Sequence, residues 1–318
     1  MRPLRSAGVL IAAAVLAAGI AGAQDFPAKP IRIITASIGG SPDLVSRILA
    51  QGLPAQLGQQ VIVDNRSSGL VPAEIVSRAA PDGYTLLVTS NAMWILTLMQ
   101  PAPYDPVADF APITLATMAP TILVVHPTVP ARSVKALIAL AKARPGALNY
   151  ASSTTGTASH LAGELFKIMA GVNIVRVAYK GAGLATTDLI TGQVQMSFFT
   201  ATSVLPHVKA GKLRALAVTS ATPFELFPDL PTVAGSGLPG YEAISMYCVF
   251  APAKTPEAVI TRLNREMVQF LKTPTASARL LNAGSEVVAG SSAQLAAAVK
   301  ADIASARKVI TQAGIQAD

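Results

Sequence analysis

Two loops rich in glycine and hydroxyl side chains have the residue types best suited to holding a small anion. The first loop, residues 36–43, reads Ala-Ser-Ile-Gly-Gly-Ser-Pro-Asp and separates a β-branched run from a helical pattern. Ser41 is a favoured N-cap and Pro42 a favoured first helical residue. Backbone N–H groups at a helix start bind anions, and glycines let a ligand approach the main chain closely. The loop residues that we expect to contact a ligand are Ser37, Ile38, Gly39, Gly40, Ser41 and Asp43.

The second loop, residues 150–160, repeats this design with Tyr-Ala-Ser-Ser-Thr-Thr-Gly-Thr-Ala-Ser-His. Two helix starts, one from each half of the chain, could hold the two ends of a dianion. The residues expected to contact a ligand here are Ser153, Thr154, Thr157 and Ser159. Either loop could instead be an ordinary turn, but their matching positions favour binding. Asp43 could be structural, because a carboxylate on the first helical turn stabilises the helix yet repels an anion.

Further candidate residues follow three of the predicted strands, at the strand ends where ligands of open α/β sheets bind. Ser90 and Asn91 offer a hydroxyl and an amide after one strand, and Lys180 lies in a glycine-containing turn after another. Phe199 and Thr200 could place an aromatic wall and a hydroxyl in the same cleft. The alternatives are a solvated lysine and a core phenylalanine.

Signals for catalysis, a cofactor or a metal are weak. Residues 235–240 satisfy the G-x-G-x-x-G spacing, but Pro239 would interrupt the helix that a dinucleotide loop must open. The three histidines lack metal-ligand spacing with one another or with the single cysteine, and no G-x-S-x-G occurs. Cys248 lies in an apolar strand-like run and is expected to be a buried structural thiol. We therefore expect a protein that is not an enzyme and that needs no cofactor.

The first residues and the charge distribution indicate an exported protein that does not bind nucleic acid. A basic start, an apolar run over residues 7–20 and the small-residue site Ala21-Gly22-Ala23 are typical of a cleaved signal peptide, residues 1–23. A membrane anchor is the alternative, but the run is shorter than a spanning helix requires. The net charge of +8 comes from basic residues scattered singly, without interleaved aromatics.

Strand and helix patterns alternate along the whole chain, which predicts parallel α/β layers. The alternation restarts after Pro130, and three amphipathic C-terminal helices follow a strand near residue 247. These helices contain no new core, so they are expected to pack on the first unit. We predict two α/β domains joined by crossover strands around a ligand cleft, with domain 1 formed by residues 24–125 and 247–318 and domain 2 by residues 126–246.

The sequence resembles the Bug-type periplasmic receptors of the tripartite tricarboxylate transporter systems through nearly the whole mature chain. The matching stretches are residues 29–32, 39–40 together with 43, 65–66, 80–86, 103–106, 109–110, 160–166, 179–181 and 213–219. The resemblance implies a two-lobed periplasmic-binding-protein-like fold that closes on a dicarboxylate or an aromatic acid. It also implies delivery to the permease subunits of a membrane transporter, and a ligand held by main-chain amides and hydroxyls of residues 37–43 and 152–159. We expect the receptor to act as a monomer.

This sequence departs from the family pattern in the first loop, in residues 67–72 and at Phe199-Thr200. Many members have an acidic residue near that last position, which would suit a ligand amino group. Its absence argues against an amino acid ligand. A receptor that presents its closed form to a membrane signalling partner would need the same cleft, so the sequence leaves that alternative open; an exported hydrolase has little support.

Overall fold

The computed structural model describes residues 26–36, 38–66, 69–153, 155–179 and 182–315. The predicted signal peptide and three of the expected ligand contacts, Ser37, Thr154 and Lys180, lie outside the described residues. Within those ranges, no helix is long and apolar enough to cross a lipid bilayer.

Strands and helices alternate as the sequence pattern predicts. The strands are β1 (Ile31–Thr35), β2 (Val61–Asn65), β3 (Thr85–Ser90), β4 (Phe110–Val125), β5 (Asn149–Ser152), β6 (Val175–Ala178), β7 (Met196–Thr200), β8 (Arg214–Val218), β9 (Ile244–Pro252) and β10 (Glu286–Val287). The helices are α1 (Ser41–Leu57), α2 (Val71–Ser77), α3 (Ala92–Leu96), α4 (Val134–Ala143), α5 (Ala158–Ala170), α6 (Ala182–Ile190), α7 (Ala201–Lys209), α8 (Glu257–Leu271), α9 (Pro274–Asn282) and α10 (Ser292–Ala313).

The strands form two parallel groups connected by two long antiparallel strands. Their order is β2-β1-β3-β9-β4-β7-β5-β6, with β8 and β10 also pairing with β4. β1 runs parallel to β2 and β3, and β5 runs parallel to β6 and β7. β4 and β9 run antiparallel to each other and to their other neighbours. The sheet is therefore mixed, whereas the sequence pattern predicted parallel layers throughout.

β4 is 16 residues long, although the sequence pattern identified a strand only over residues 122–125. Pro112 and Pro120 lie within it, and proline cannot donate to the hydrogen-bond ladder. The pairing of β4 with β9 also shifts register between Pro112 and Thr114 and between Leu115 and Thr117. Because of these interruptions, the sequence pattern did not identify the full length of this strand, which spans both lobes.

Each parallel group has its own apolar core, which gives the two-lobed α/β fold. Ile33 and Leu86 of the first group are buried together with Leu263 and Met267 of α8. Leu295 of α10 is buried on another part of this lobe, in the same cluster as Trp94. The C-terminal helices thus pack against the first strands, as expected from their lack of a separate core. The domain boundaries at residues 125/126 and 246/247 remain predictions.

Helix α1 begins one residue earlier than the sequence indicates. Gly40, with φ −80° and ψ 164°, is its N-cap, so Ser41 is the first helical residue rather than the cap. The Ser41 side chain does not cap the helix; it lies near the Tyr247 hydroxyl of β9, whose pKa it lowers. The start of α1 therefore lies beside a crossover strand.

Candidate functional site

A cavity of about 230 Å³ lies where the strand-to-helix junctions of the two lobes meet. Its wall comes from the start of α1, the β3–α3 junction, the β5–α5 loop, the β7–α7 junction and the two long strands. The lining residues are Pro42, Ser90, Asn91, Ala92, Thr121, Ser153, Gly156, Thr157, Ala158, Ser159, Phe198, Phe199, Thr200, Ser203, Ser245 and Tyr247. We call this space the cleft.

Seven of the twelve expected contact residues that the structure describes meet in the cleft. Those that line it are Ser90, Asn91, Ser153, Thr157, Ser159, Phe199 and Thr200. Those from the first loop that do not line it are Ile38, Gly39, Gly40, Ser41 and Asp43, although Pro42 beside them does. Ile38 is 76% exposed, so its side chain faces solvent.

Helix N-termini at the cleft are not capped by the side chains that could cap them. Thr157 precedes α5 and Thr200 precedes α7, and neither side chain accepts a hydrogen bond from the first turn of its helix. Asn91, which precedes α3, also makes no such bond. The Thr200 hydroxyl instead lies 2.9 Å from the Ser203 hydroxyl. None of these three side chains therefore supplies an acceptor at the N-cap, although at α3 the Ala92 N–H donates to Ser90 Oγ over 3.4 Å.

Three N-caps that do not line the cleft behave differently. Ser133 accepts a hydrogen bond from Ala136 N, and Thr273 accepts one from Ala276 N. Ser291 forms a complete capping box with Gln294. Residues of the same types thus cap their helices elsewhere and leave them uncapped at the cleft. That contrast indicates helix starts arranged for an external hydrogen-bond acceptor.

The β5–α5 loop is held together by its own hydroxyl groups. The Ser153 hydroxyl lies 3.0 Å from those of Thr157 and Ser159, and Ser153 N donates to Ser159 Oγ over 3.1 Å. From β6, Arg176 donates to Ser152 Oγ over 2.8 Å and to the Ser153 carbonyl over 3.3 Å. The loop is therefore preorganised, and a positive charge that the sequence analysis missed lies behind it.

The Asp43 carboxylate holds the first loop together through hydrogen bonds. Its Oδ2 accepts hydrogen bonds from Gly39 N and Arg47 Nε, each over 3.0 Å, and its Oδ1 accepts one from Asn65 Nδ2 over 2.8 Å. Burial raises the pKa of Asp43, but the hydrogen bonds from Arg47, Gly39 and Asn65 outweigh it and hold the pKa below its usual value. Both carboxylate oxygens are thus occupied within the loop.

Tyr247 is a cleft residue that the sequence analysis did not single out for binding. Burial raises the pKa of Tyr247, although the neighbouring Ser41 and Ser245 side chains act in the opposite direction. Ser245 and Tyr247 line the cleft while Ile244 and Met246 line a second cavity, as expected for alternating side chains of a strand. The alternation of side chains along β9 was the signal available in the sequence. The sequence does not tell which face of that strand meets the cleft.

The cleft has many hydroxyl groups beside its apolar surface but, as far as the structure describes it, no charged side chain. None of the described lining residues is Arg, Lys, Asp or Glu. In the same ranges, no group of three or more His, Cys, Asp or Glu side chains could hold a metal ion. Binding in this cleft would depend on hydroxyls, the Asn91 amide and backbone N–H groups.

The receptor model of the tripartite tricarboxylate transporter family matches residues 45–315. Protein BugT of Bordetella pertussis is 37% identical over 278 residues, covering 86% of this chain and 85% of BugT. Among solved structures, R. palustris Rpa4515 with adipate has a TM-score of 0.80 at 34% identity, covering 92% of this chain and 100% of that one. MatC from Rhodopseudomonas palustris with bound malate has a TM-score of 0.74 at 26% identity, covering 90% and 100%.

These matches agree with the Bug-type resemblance and with a two-lobed solute-binding fold. The family is one of receptors rather than enzymes. With a family match over most of its length, this chain belongs to the tripartite tricarboxylate transporter receptor family.

Proposed function

We propose that this protein is a periplasmic receptor that captures a small organic acid, a dicarboxylate or an aromatic carboxylate, by closing the cleft around it. The observation that carries the proposal is the start of α7, which the Thr200 side chain does not cap, facing the hydroxyl groups of the β5–α5 loop across a cavity without a described charged side chain. Such N-termini favour a carboxylate through their N–H groups and the helix dipole. The adipate-bound and malate-bound relatives support the same ligand class.

The size and wall of the cleft favour a small ligand. Its volume of about 230 Å³ lies below the range of 300 to 1,000 Å³ that is usual for drug-sized ligands. Phe199 supplies an apolar surface, whereas hydroxyl groups form much of the rest. An acid of a few carbon atoms, or with one aromatic ring, combines the apolar body and the carboxylate that these surfaces can contact.

Closure and delivery complete the proposed cycle. β4 and β9 connect the lobes, and bending of these two strands would change the width of the cleft. The signal peptide predicted for residues 1–23 would export the protein to the periplasm. There the closed monomer would present its ligand to the permease subunits of a membrane transporter.

A thermal-shift screen followed by calorimetric titration tests the ligand class. The panel contains succinate, malate, adipate, benzoate, nicotinate and glutamate. A ligand at a hundred times its Kd should stabilise the protein by about 2.7 kcal/mol, which gives a clear rise in Tm. A rise with carboxylates is expected, and a response restricted to neutral or cationic compounds would contradict the proposal.

Two threonine variants locate the binding site. Thr200→Val removes a cleft hydroxyl that does not cap its own helix, so it should weaken ligand binding with little loss of stability. Thr273→Val is the matched control, because that side chain caps α9 and does not line the cleft. The control should lose about 1 kcal/mol of stability while its ligand affinity stays at the wild-type value. Equal loss of affinity in both variants would argue against this cleft.

A further inference from the structure

A second cavity, of about 450 Å³, lies on the opposite face of β9 from the cleft. We call it the rear cavity; its wall includes Ile244 and Met246 of β9, Leu161 of α5 and Asp302 of α10. Asn91 lines both the cleft and the rear cavity. The Asn91 side chain therefore stands at the boundary between the two spaces.

Asn91 is attached to the crossover strand by its backbone and by its side chain. Asn91 N donates to the Met246 carbonyl over 3.1 Å, and Asn91 Nδ2 donates to the Ile244 carbonyl over 3.1 Å. A second hydrogen bond runs from Nδ2 to Asp302 Oδ2 over 3.4 Å. The two N–H bonds of the side-chain amide are thus both directed at groups outside the cleft wall.

Asp302 is held in position from a second direction. Its Oδ2 accepts a 2.7 Å hydrogen bond from Trp94 Nε1, and the Trp94 ring is fully buried. Burial raises the pKa of Asp302 against the effect of the hydrogen bonds from Trp94 and Asn91. Asp302 does not line the cleft, and the mechanism proposed above does not use it.

This arrangement fixes which end of the Asn91 amide is left for a ligand. The amide oxygen has no hydrogen-bond partner among the residues that the structure describes, whereas the nitrogen has two. The Ile244 carbonyl and the Asp302 carboxylate both accept hydrogen bonds and do not donate them, so together they select the orientation with the Asn91 nitrogen toward themselves. Of these two acceptors, Asp302 is the one whose side chain can be changed by substitution.

We propose that Asp302 is a positioning residue that sets ligand selectivity by holding Asn91 with its amide oxygen toward the cleft. This inference rests on the function proposed above. It adds to that function the class of acid that the receptor prefers. In a cleft of hydroxyls and helix N-termini, Asn91 contributes an acceptor that cannot also donate. The preferred ligand is an acid with a hydrogen-bond donor near its carboxylate, such as a 2-hydroxy acid.

Paired ligands that differ by one hydroxyl test this inference. We suggest measuring Kd for malate against succinate and for mandelate against phenylacetate. The wild type should bind the hydroxy acid of a pair about tenfold more tightly, the ratio that one hydrogen bond produces. In Asp302→Asn, the new amide can donate to the Asn91 oxygen and so compete with the Ile244 carbonyl for the orientation of Asn91, and the ratio should fall toward one.

Glu164→Gln is the matched control for this measurement. Glu164 is also a buried acid on a helix that accepts a hydrogen bond from an aromatic side chain, the Tyr150 hydroxyl, but it does not line the cleft. The control should lose stability and keep the wild-type ratio. If Asp302→Asn does not fold, Asn91→Ala removes the acceptor directly and should abolish the preference.

The outcomes separate this inference from the proposed function. Carboxylate binding with the same ratio in wild type and Asp302→Asn, or with the preference retained in Asn91→Ala, would overturn the inference alone. A wild type that binds plain acids as well as hydroxy acids would also overturn it. Failure of the wild type to bind any of the carboxylates would overturn both.

Discussion

Asn65 Nδ2 donates a 2.8 Å hydrogen bond to Asp43 Oδ1 and so joins the end of β2 to the first turn of α1. The same Asn65 nitrogen donates to the Ala36 carbonyl over 2.7 Å. Gly39 N and Arg47 Nε donate to Oδ2 of Asp43, so the Asp43 carboxylate holds the conformation of the first loop through its hydrogen bonds. These contacts favour the structural alternative for Asp43 over direct ligand contact.

Asp43→Asn should lower stability by about 1–3 kcal/mol and leave carboxylate affinity nearly unchanged. The pKa of Asp43 is below its ordinary value in the folded protein. Its contribution to stability is consequently complete above about pH 4 and is lost as pH falls through the folded-state pKa. Urea unfolding between pH 2 and pH 7 should show this loss in the wild type and a smaller one in the variant.

Glu74→Gln provides a control for the loss of an acid paired at i,i+4 with arginine. Glu74 pairs with Arg78 on α2, where the side chains are 34% and 67% exposed. Such an exposed pair contributes only about 0–1 kcal/mol. A loss in Glu74→Gln as large as that in Asp43→Asn would mean that the pairing with arginine, rather than the loop bonds, determines the effect.

Tyr247→Phe should weaken ligand binding because it removes a hydroxyl group of a residue that lines the cleft beside Ser245. Loss of one hydrogen-bonding group predicts a Kd about tenfold higher by calorimetry. Tyr241→Phe is the matched control, since its buried hydroxyl donates to the Ala162 carbonyl over 2.8 Å and does not line the cleft. Both variants should lose stability, but only Tyr247→Phe should lose affinity; equal affinities would contradict this role for Tyr247.

Local patterns predicted most of the elements and much of the cleft. The helix expected from Ala293 to Ala313 is α10, Ser292–Ala313, and its apolar spacing directly reports which face is buried. Ser90, Asn91, Ser153 and Thr157 reach the cleft because strand ends and helix starts meet at one edge of each parallel group. The prediction that Cys248 is buried is confirmed, with 0% exposure.

The residues that were missed depend on contacts between distant parts of the chain. Asp302 is separated by 211 residues from Asn91, and no local motif joins them. Thr121, Ser245 and Tyr247 reach the cleft because β4 and β9 pass between the lobes, and neither the pairing of these strands nor their facing follows from periodicity alone. Arg176 supports the β5–α5 loop through a neighbouring strand in the same way.

Gly163→Ala should destabilise the second lobe. A Cβ at Gly163 would collide with the ring of Tyr150, which is fully buried and hydrogen-bonded to Glu164. Overpacking of this kind costs about 1–3 kcal/mol, to be measured by urea unfolding. Gly183→Ala is the control, because a Cβ there meets nothing within 4 Å on the exposed side of α6. That change should be neutral or stabilising; similar losses in the two variants would contradict the packing argument.

Cys248 offers a chemical probe of the crossover strand. It is paired with Thr89 of β3 and Leu115 of β4, and burial followed by the nearby Asp302 charge raises its pKa well above the usual value. Because the thiolate is the reactive form, a disulfide reagent should label Cys248 only when β9 separates from its neighbours.

Labelling should therefore be slower than that of an exposed thiol by a factor on the order of 1,000 or more, as expected for an opening that requires most of the global unfolding energy. Ala210→Cys in a Cys248→Ser background supplies that exposed reference, since Ala210 lies on the surface at the end of α7. A bound carboxylate should slow labelling of Cys248 further and leave the reference unchanged, because the ligand stabilises the structure that protects β9. Rapid labelling of Cys248 in the native protein would mean that the crossover strand opens locally, and the lobes would then be joined less firmly than the pairing of β4 with β9 indicates.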